Sequence, residues 1–306
     1  MAAPIVYRWD DGNAPVARGE RRSLCDILYA CLVTGYGSKP GAGWTREFVN
    51  ATFDKAVFRN NPLTGTGFFL QVDGAGTVNA YTSTVMAYES MTSLNDGLSS
   101  FGLTGTYTTS NAANATARPW VLIADDRAFY LYVWNSITGA PANSSNTAQG
   151  LFFGDGVRRD PSDNYFCMFS IGALANRGPI GSLYSPSTAV ASGNLGFYAP
   201  RRSTGVYSPI NLALIRGGGP GADVSAGANG IIYTAGDPIL VARPHVSDGV
   251  AYSFRGHIPG LYYPCHPNAF GQLATVSAAG KSFLSLRVPI NVTASNLFID
   301  LADWRI

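Results

Sequence analysis

The sequence predicts a mainly β fold: antiparallel, sandwich-like sheets with one short N-terminal helix and long Gly/Ala/Ser/Asn-rich loops. Three observations carry this reading. Charged residues make up only 13% of the 306 residues, about half the usual share. Three lysines and three glutamates, the residues that normally coat exposed helix faces, stand against 16 tyrosines and 16 phenylalanines, which suit strands. Finally, most of the chain is cut into short apolar runs bounded by Gly, Pro, Asn or Asp.

The elements follow in order. RRSLCDILYACLVTGYG carries the one helical pattern, with Ser23 as N-cap, Asp26 three residues on, and Leu24, Ile27, Leu28, Cys31 and Leu32 on one face before Gly35 stops it. After the loop GSKPGAG, a Trp-anchored segment leads to a strand over Lys55–Arg59. GFFLQVDGAG and TVNAYTSTVMAYESM are expected to form two strands joined by an Asp-Gly-containing turn. WVLIA and AFYLYVW are apolar at every position, so both should be covered on both sides. QGLFFG, NYFCMFSIG, GIIYTAG, PILVA, KSFLSLRVPINV and NLFIDLADW complete the expected strands. Residues 138–150 and 216–230 hold too little large apolar surface to order themselves and are expected as long loops or contact arms. These signals divide the chain into a docking segment with the helix (1–60), a main β domain (61–235) and a C-terminal β segment (236–306), the last two forming one domain or two.

Several function classes are disfavoured at once. The net charge is +2 with scattered basic residues, too little for a nucleic-acid footprint. The N-terminus lacks a cationic start followed by an apolar run, and no stretch approaches about 18 uninterrupted apolar residues, so neither export nor membrane insertion is expected. Cys25, Cys31, Cys167 and Cys265 have no paired spacing and are expected as buried, reduced thiols.

The strongest candidate for chemistry is Asp125-Asp126-Arg127, between the two apolar runs. A catalytic carboxylate pair would face across a cleft, whereas neighbours on one turn diverge. The turn reading is preferred: an Asp side chain accepts local backbone N–H groups, and Arg127 offsets the doubled charge. Asp155, Asp160 and Asp163 invite a calcium reading but lack the alternation and closing glutamate of an EF-hand loop. His245, His257 and His266 lie close in sequence, and Cys265-His266 suggests a metal or thiol site; a structural role is preferred for all. The familiar nucleophile-elbow, phosphate-loop and zinc-protease motifs do not occur.

The opening YRWDDGNAPVARGERRSLCDILYACLVTGYGSKPGAGWTREFVNATFDKAVFRN resembles the start of a group of tailed-bacteriophage virion proteins, which begin with a YRWDD-like phrase and run through a short helix to GYGSK, GWT and a KAVYRN-like strand. The likeness continues through MAYESMT, WVLIADDRAFYLYV, FFGDGVRRDPSDNYFC and RGHIPGLYYPCHP, and so spans most of the chain. It implies a structural virion component, a tail, baseplate or neck accessory protein assembled in the host cytoplasm, without cofactor or catalytic residues. Its partners would be other virion proteins and copies of itself. A capsid decoration protein and a host-glycan-binding tail protein are the alternatives. Tyr7, Trp9 and Phe48 are the aromatic anchors expected at the assembly interface.

Overall fold

A computed structural model describes residues 3–141, 148–173, 197–215, 239, 241–248, 254–264, 270–290 and 293–305. Strand β1 (Ile5–Arg8) comes first, then helix α1 (Ser23–Leu28), which continues as a π-helical turn over Tyr29–Thr34. Five strands follow as an antiparallel meander: β2 (Thr45–Val49), β3 (Lys55–Arg59), β4 (Phe69–Asp73), β5 (Thr82–Ser93) and β6 (Asp96–Thr108). Next come β7 (Trp120–Ala124), β8 (Ala128–Trp134), β9 (Ala148–Asp155), β10 (Val157–Arg158), β11 (Cys167–Ala173), β12 (Phe197–Arg201) and β13 (Tyr207–Ile215). The last are β14 (Val241–Ala242), β15 (His245–Ser247), β16 (Phe254–His257), β17 (Leu261–Pro264), β18 (Thr275–Ala278), β19 (Lys281–Ile290) and β20 (Thr293–Asp300).

These strands form three sheets. The central one has ten strands in the order β1-β7-β8-β9-β11-β12-β13-β15-β16-β10, all neighbours antiparallel. Successive side chains of a strand point to opposite faces, and the two faces belong to two cores. Trp120, Leu122 and Ala124 join α1 and the β2–β6 meander in one core; Val121 and Ile123 join Leu284, Leu286, Leu297 and Ile299 of the sheet β14-β17-β20-β19-β18 in the other. The arrangement is three layered sheets. It explains why WVLIA and AFYLYVW show no polar alternation: every residue of β7 and β8 is buried.

The helix places Leu24, Ile27, Leu28, Cys31 and Leu32 in the first core, as the spacing predicts, and Gly35 ends it at a φ of 77°. Its start differs by one residue. Ser23 is already helical, the N-cap position is Arg22 with no side-chain cap, and the Ser23 hydroxyl instead accepts the Arg18 N–H at 2.9 Å. Asp26 pairs with Arg22 one turn back.

The segment 1–60 is not a unit apart. β1 is an edge strand of the central sheet, paired with β7 from Ile5↔Ala124 to Arg8↔Val121, while β2 and β3 belong to the meander and β3 pairs with β4 across the expected boundary. The 235/236 boundary is likewise not a layer boundary, since β15 and β16 lie in the central sheet and β17–β20 in the third. Burial of both faces of one central sheet is what ties the ends of the chain together. The expected strand GIIYTAG, the 216–230 loop, residues 142–147, Cys265 and His266 fall outside the described residues.

Candidate functional site

Asp125, Asp126 and Arg127 connect β7 to β8, and the Asp125 side chain does what a turn aspartate is expected to do. Its Oδ1 accepts the backbone N–H groups of Arg127 at 2.9 Å and Ala128 at 2.7 Å, and the Asp125 N–H donates to the Ala128 carbonyl at 3.0 Å. The counter-charge is another matter. Arg305 donates from Nε to Oδ2 and from Nη2 to Oδ1 of Asp125, both at 2.7 Å, with each side chain only 6% exposed. Arg127 offsets charge on the neighbouring Asp126 instead. Its Nε lies 3.9 Å from the Asp126 carboxylate and its Nη1 donates to the Thr64 carbonyl, while burial and then the Arg305 charge lower its pKa.

All three layers converge on this turn. From the meander side Trp44 Nε1 donates to the Asp125 carbonyl at 2.8 Å, Asn61 N–H donates to the Asp126 carbonyl at 2.9 Å, and the Thr64 hydroxyl donates to the Asp126 carboxylate. From the other side Arg305 reaches both Asp125 and, through Nη1, the Asp155 carbonyl at 2.8 Å. Asp155 is buried beside it. Its carboxylate accepts Asn60 Nδ2 at 2.9 Å, Thr66 Oγ1 at 2.6 Å and Thr66 N–H at 2.8 Å. Burial nevertheless pushes its pKa above the ordinary 3.8, against those hydrogen bonds and the Arg305 charge. Each oxygen of Asp125 and Asp155 is engaged by protein donors, and the two residues are 7% and 1% exposed. The geometry suits a structural junction rather than substrate access.

The calcium candidates separate. Asp160 accepts the N–H and hydroxyl of Ser162 on an exposed turn. Asp163 is buried and clasped by Arg255, from Nε at 2.6 Å and Nη2 at 3.1 Å, and Arg255 Nη1 also donates to the Arg201 carbonyl at 2.6 Å. Beside this pair lies an open depression of about 480 Å³ lined by Arg159, Asp160, Pro161, Ser203 and Phe254. Among the described residues no three His, Cys, Asp or Glu side chains gather as metal ligands. Cys25, Cys31 and Cys167 are free and buried, and burial raises each thiol's pKa.

Two histidines do come together. His245 on β15 and His257 on β16 are direct cross-strand partners with ring centroids 4.8 Å apart, and Phe254 stands edge-on to both. Their pairing across twelve residues of sequence went unread, although Asp248-Gly249 between them is a hairpin signal. Arg255 and Arg305 were missed as well: a single arginine in a strand or near a Trp carries no sign of its distant carboxylate.

The expected interface anchors are distributed unevenly. Tyr7 is fully buried in the first core, with its hydroxyl donating to the Pro40 carbonyl at 2.7 Å, so the β1–β7 pairing removes it from any contact surface. Trp9 packs partly buried against both main cores with the Arg8 guanidinium over its ring, and Phe48 packs partly buried against the small cluster of Val57, Phe69 and Met91. Among the described residues, the large apolar side chains that stand out furthest are Leu63 and Val78, 92% and 97% exposed, each in a loop between apolar runs. A scan against protein-family models finds no match for this chain, and no curated protein matches it.

Proposed function

We propose that the chain is a structural component of a tailed-bacteriophage particle, a tail, baseplate or neck accessory protein that acts through protein–protein contacts and not as an enzyme. The observation that carries this is the ordered run of uncommon phrases from YRWDD to RGHIPGLYYPCHP and its resemblance to such virion proteins. The fold is compatible with it. The carboxylates with most catalytic promise, Asp125, Asp155 and Asp163, are buried and held by internal donors, an arrangement that favours a rigid scaffold. With Tyr7 in the core, the contact surface is reassigned to Trp9, Phe48 and the protruding Leu63 and Val78. Mass spectrometry of purified particles tests the reading: the chain is expected at a fixed copy number compatible with a ring or spike, and its absence from particles would overturn the proposal. A copy number near that of the major shell protein would instead identify a decoration protein.

One surface favours the second reading, a tail protein that grips host glycan. Tyr165 and Tyr207, 37% and 44% exposed, flank the Arg201 guanidinium at 4.5 Å and 5.9 Å, and Arg201 is itself fixed by Glu89. Half-exposed aromatic faces beside a fixed polar group suit the apolar face of a sugar ring. Binding to host-surface polysaccharide that falls at least tenfold in Tyr207→Ala supports this reading; no binding by the intact chain removes it.

A further inference from the structure

Asp125, Asp155 and Asp163 are buried and held by internal donors, but the histidine pair is not. His245 and His257 sit directly opposite each other on adjacent strands, with ring centroids 4.8 Å apart and planes inclined by 45°. The Nδ1 atom of each ring is buried and makes no hydrogen bond to the protein. The Phe254 ring lies 4.8 Å from His245 and 5.1 Å from His257 at steep angles, and both histidines are partly exposed. Two imidazole rings therefore lie side by side, each with a buried Nδ1 that lacks a protein partner.

We propose that His245 and His257 form a two-imidazole site for a divalent transition-metal ion that favours nitrogen ligands, of the copper(II), nickel(II) or zinc(II) class. Cross-strand neighbours fixed by backbone pairing supply two adjacent coordination positions, and water completes the sphere. Burial, then the neighbouring His245 and Arg243, lower the proton affinity of His257, which favours the neutral imidazole that binds a metal. Two imidazole nitrogens with no carboxylate beside them among the described residues select against magnesium and calcium, which require oxygen ligands. Among the described residues no third His, Cys, Asp or Glu joins the pair, so the bound ion should exchange readily.

Calorimetric titration of the full chain with copper(II), nickel(II), zinc(II) and magnesium tests the assignment. Binding is expected in the order copper above nickel, with none for magnesium, and chelator should reverse it. His245→Gln and His257→Gln should each weaken binding at least tenfold. Undiminished affinity in either variant, or binding of magnesium with equal strength, overturns the proposal. Should a variant fail to fold, electron paramagnetic resonance of the copper-loaded native chain decides. Hyperfine splitting from two imidazole nitrogens supports the site, and splitting from one or none refutes it.

Discussion

Arg305 holds Asp125 through two hydrogen bonds of 2.7 Å across 180 residues of sequence, and the same guanidinium reaches the Asp155 carbonyl. The partner carboxylate sits on the tight turn between β7 and β8, the two strands whose faces supply both main cores. Trp44, from the chain leading into the meander, bonds the carbonyl of that same aspartate. One residue thus connects three layers, and the adjacent carboxylates that look like chemistry in the sequence are a fastening.

The two aspartates should therefore respond unequally. Truncating Arg305 to Ala, or Asp125 to Ala, leaves a buried charge without its partner and is expected to cost about 3 to 5 kcal/mol. Asp126, whose side chain is a third exposed and bonded to Thr64, should lose less than about 1 kcal/mol on replacement by Asn. Urea unfolding of the three variants checks this, and equal losses at Asp125 and Asp126 would contradict it.

How much of this was legible depended on side-chain size and on sequence distance. β7, β8 and the apolar face of α1 were readable because large apolar residues mark buried positions directly. β6 was not. Its sequence DGLSSFGLTGTYT holds only two large fully buried side chains, Phe101 and Tyr107, and its glycines look like loop signals. They serve packing instead: a Cβ on Gly105 would lie 2.1 Å from Ile171 of the central sheet, and one on Gly97 would lie 2.4 Å from the Tyr88 ring. The turn role of Asp125 was readable from local chemistry, whereas its true counter-ion was not. Arg127 is adjacent in sequence and so is favoured, whereas Arg305 lies 180 residues away, past the last strand of the third sheet.

The helix should be essential to the first core. Leu28 is fully buried at the centre of the apolar stripe, so Leu28→Ala is expected to destabilise the protein by about 2 to 5 kcal/mol. An unchanged melting temperature would mean that this face does not pack as described.

Two tyrosines on β8 provide an internal comparison. Both are fully buried, but Tyr130 donates to the Pro259 carbonyl at 2.7 Å while the Tyr132 hydroxyl has no protein partner. Tyr130→Phe strands a carbonyl and should cost about 1 to 2 kcal/mol, whereas Tyr132→Phe should be neutral or stabilising. Thermal unfolding of both variants separates them, and a larger loss at Tyr132 would count against the assigned hydroxyl environments.

Asp155 should give stability an unusual pH slope. Below the ordinary value of 3.8 the carboxyl is protonated in both states, and above it the unfolded chain ionises first because burial raises the folded value. Stability conferred by the neutral carboxyl is then lost as pH rises through the folded pKa. The difference in unfolding free energy between native protein and Asp155→Asn should accordingly fall with rising pH in that window and flatten beyond it. A difference that grows with pH would show that the folded pKa is lowered instead.

The central claim, that Asp125 and Arg305 act as one structural fastening, is tested most directly by a double-mutant cycle with Asp125→Asn and Arg305→Met measured by urea unfolding. The pair predicts a coupling energy of about 1 to 3 kcal/mol, with the double variant more stable than the sum of the single losses allows. Strictly additive losses would contradict it, because they would mean that the two side chains do not depend on each other.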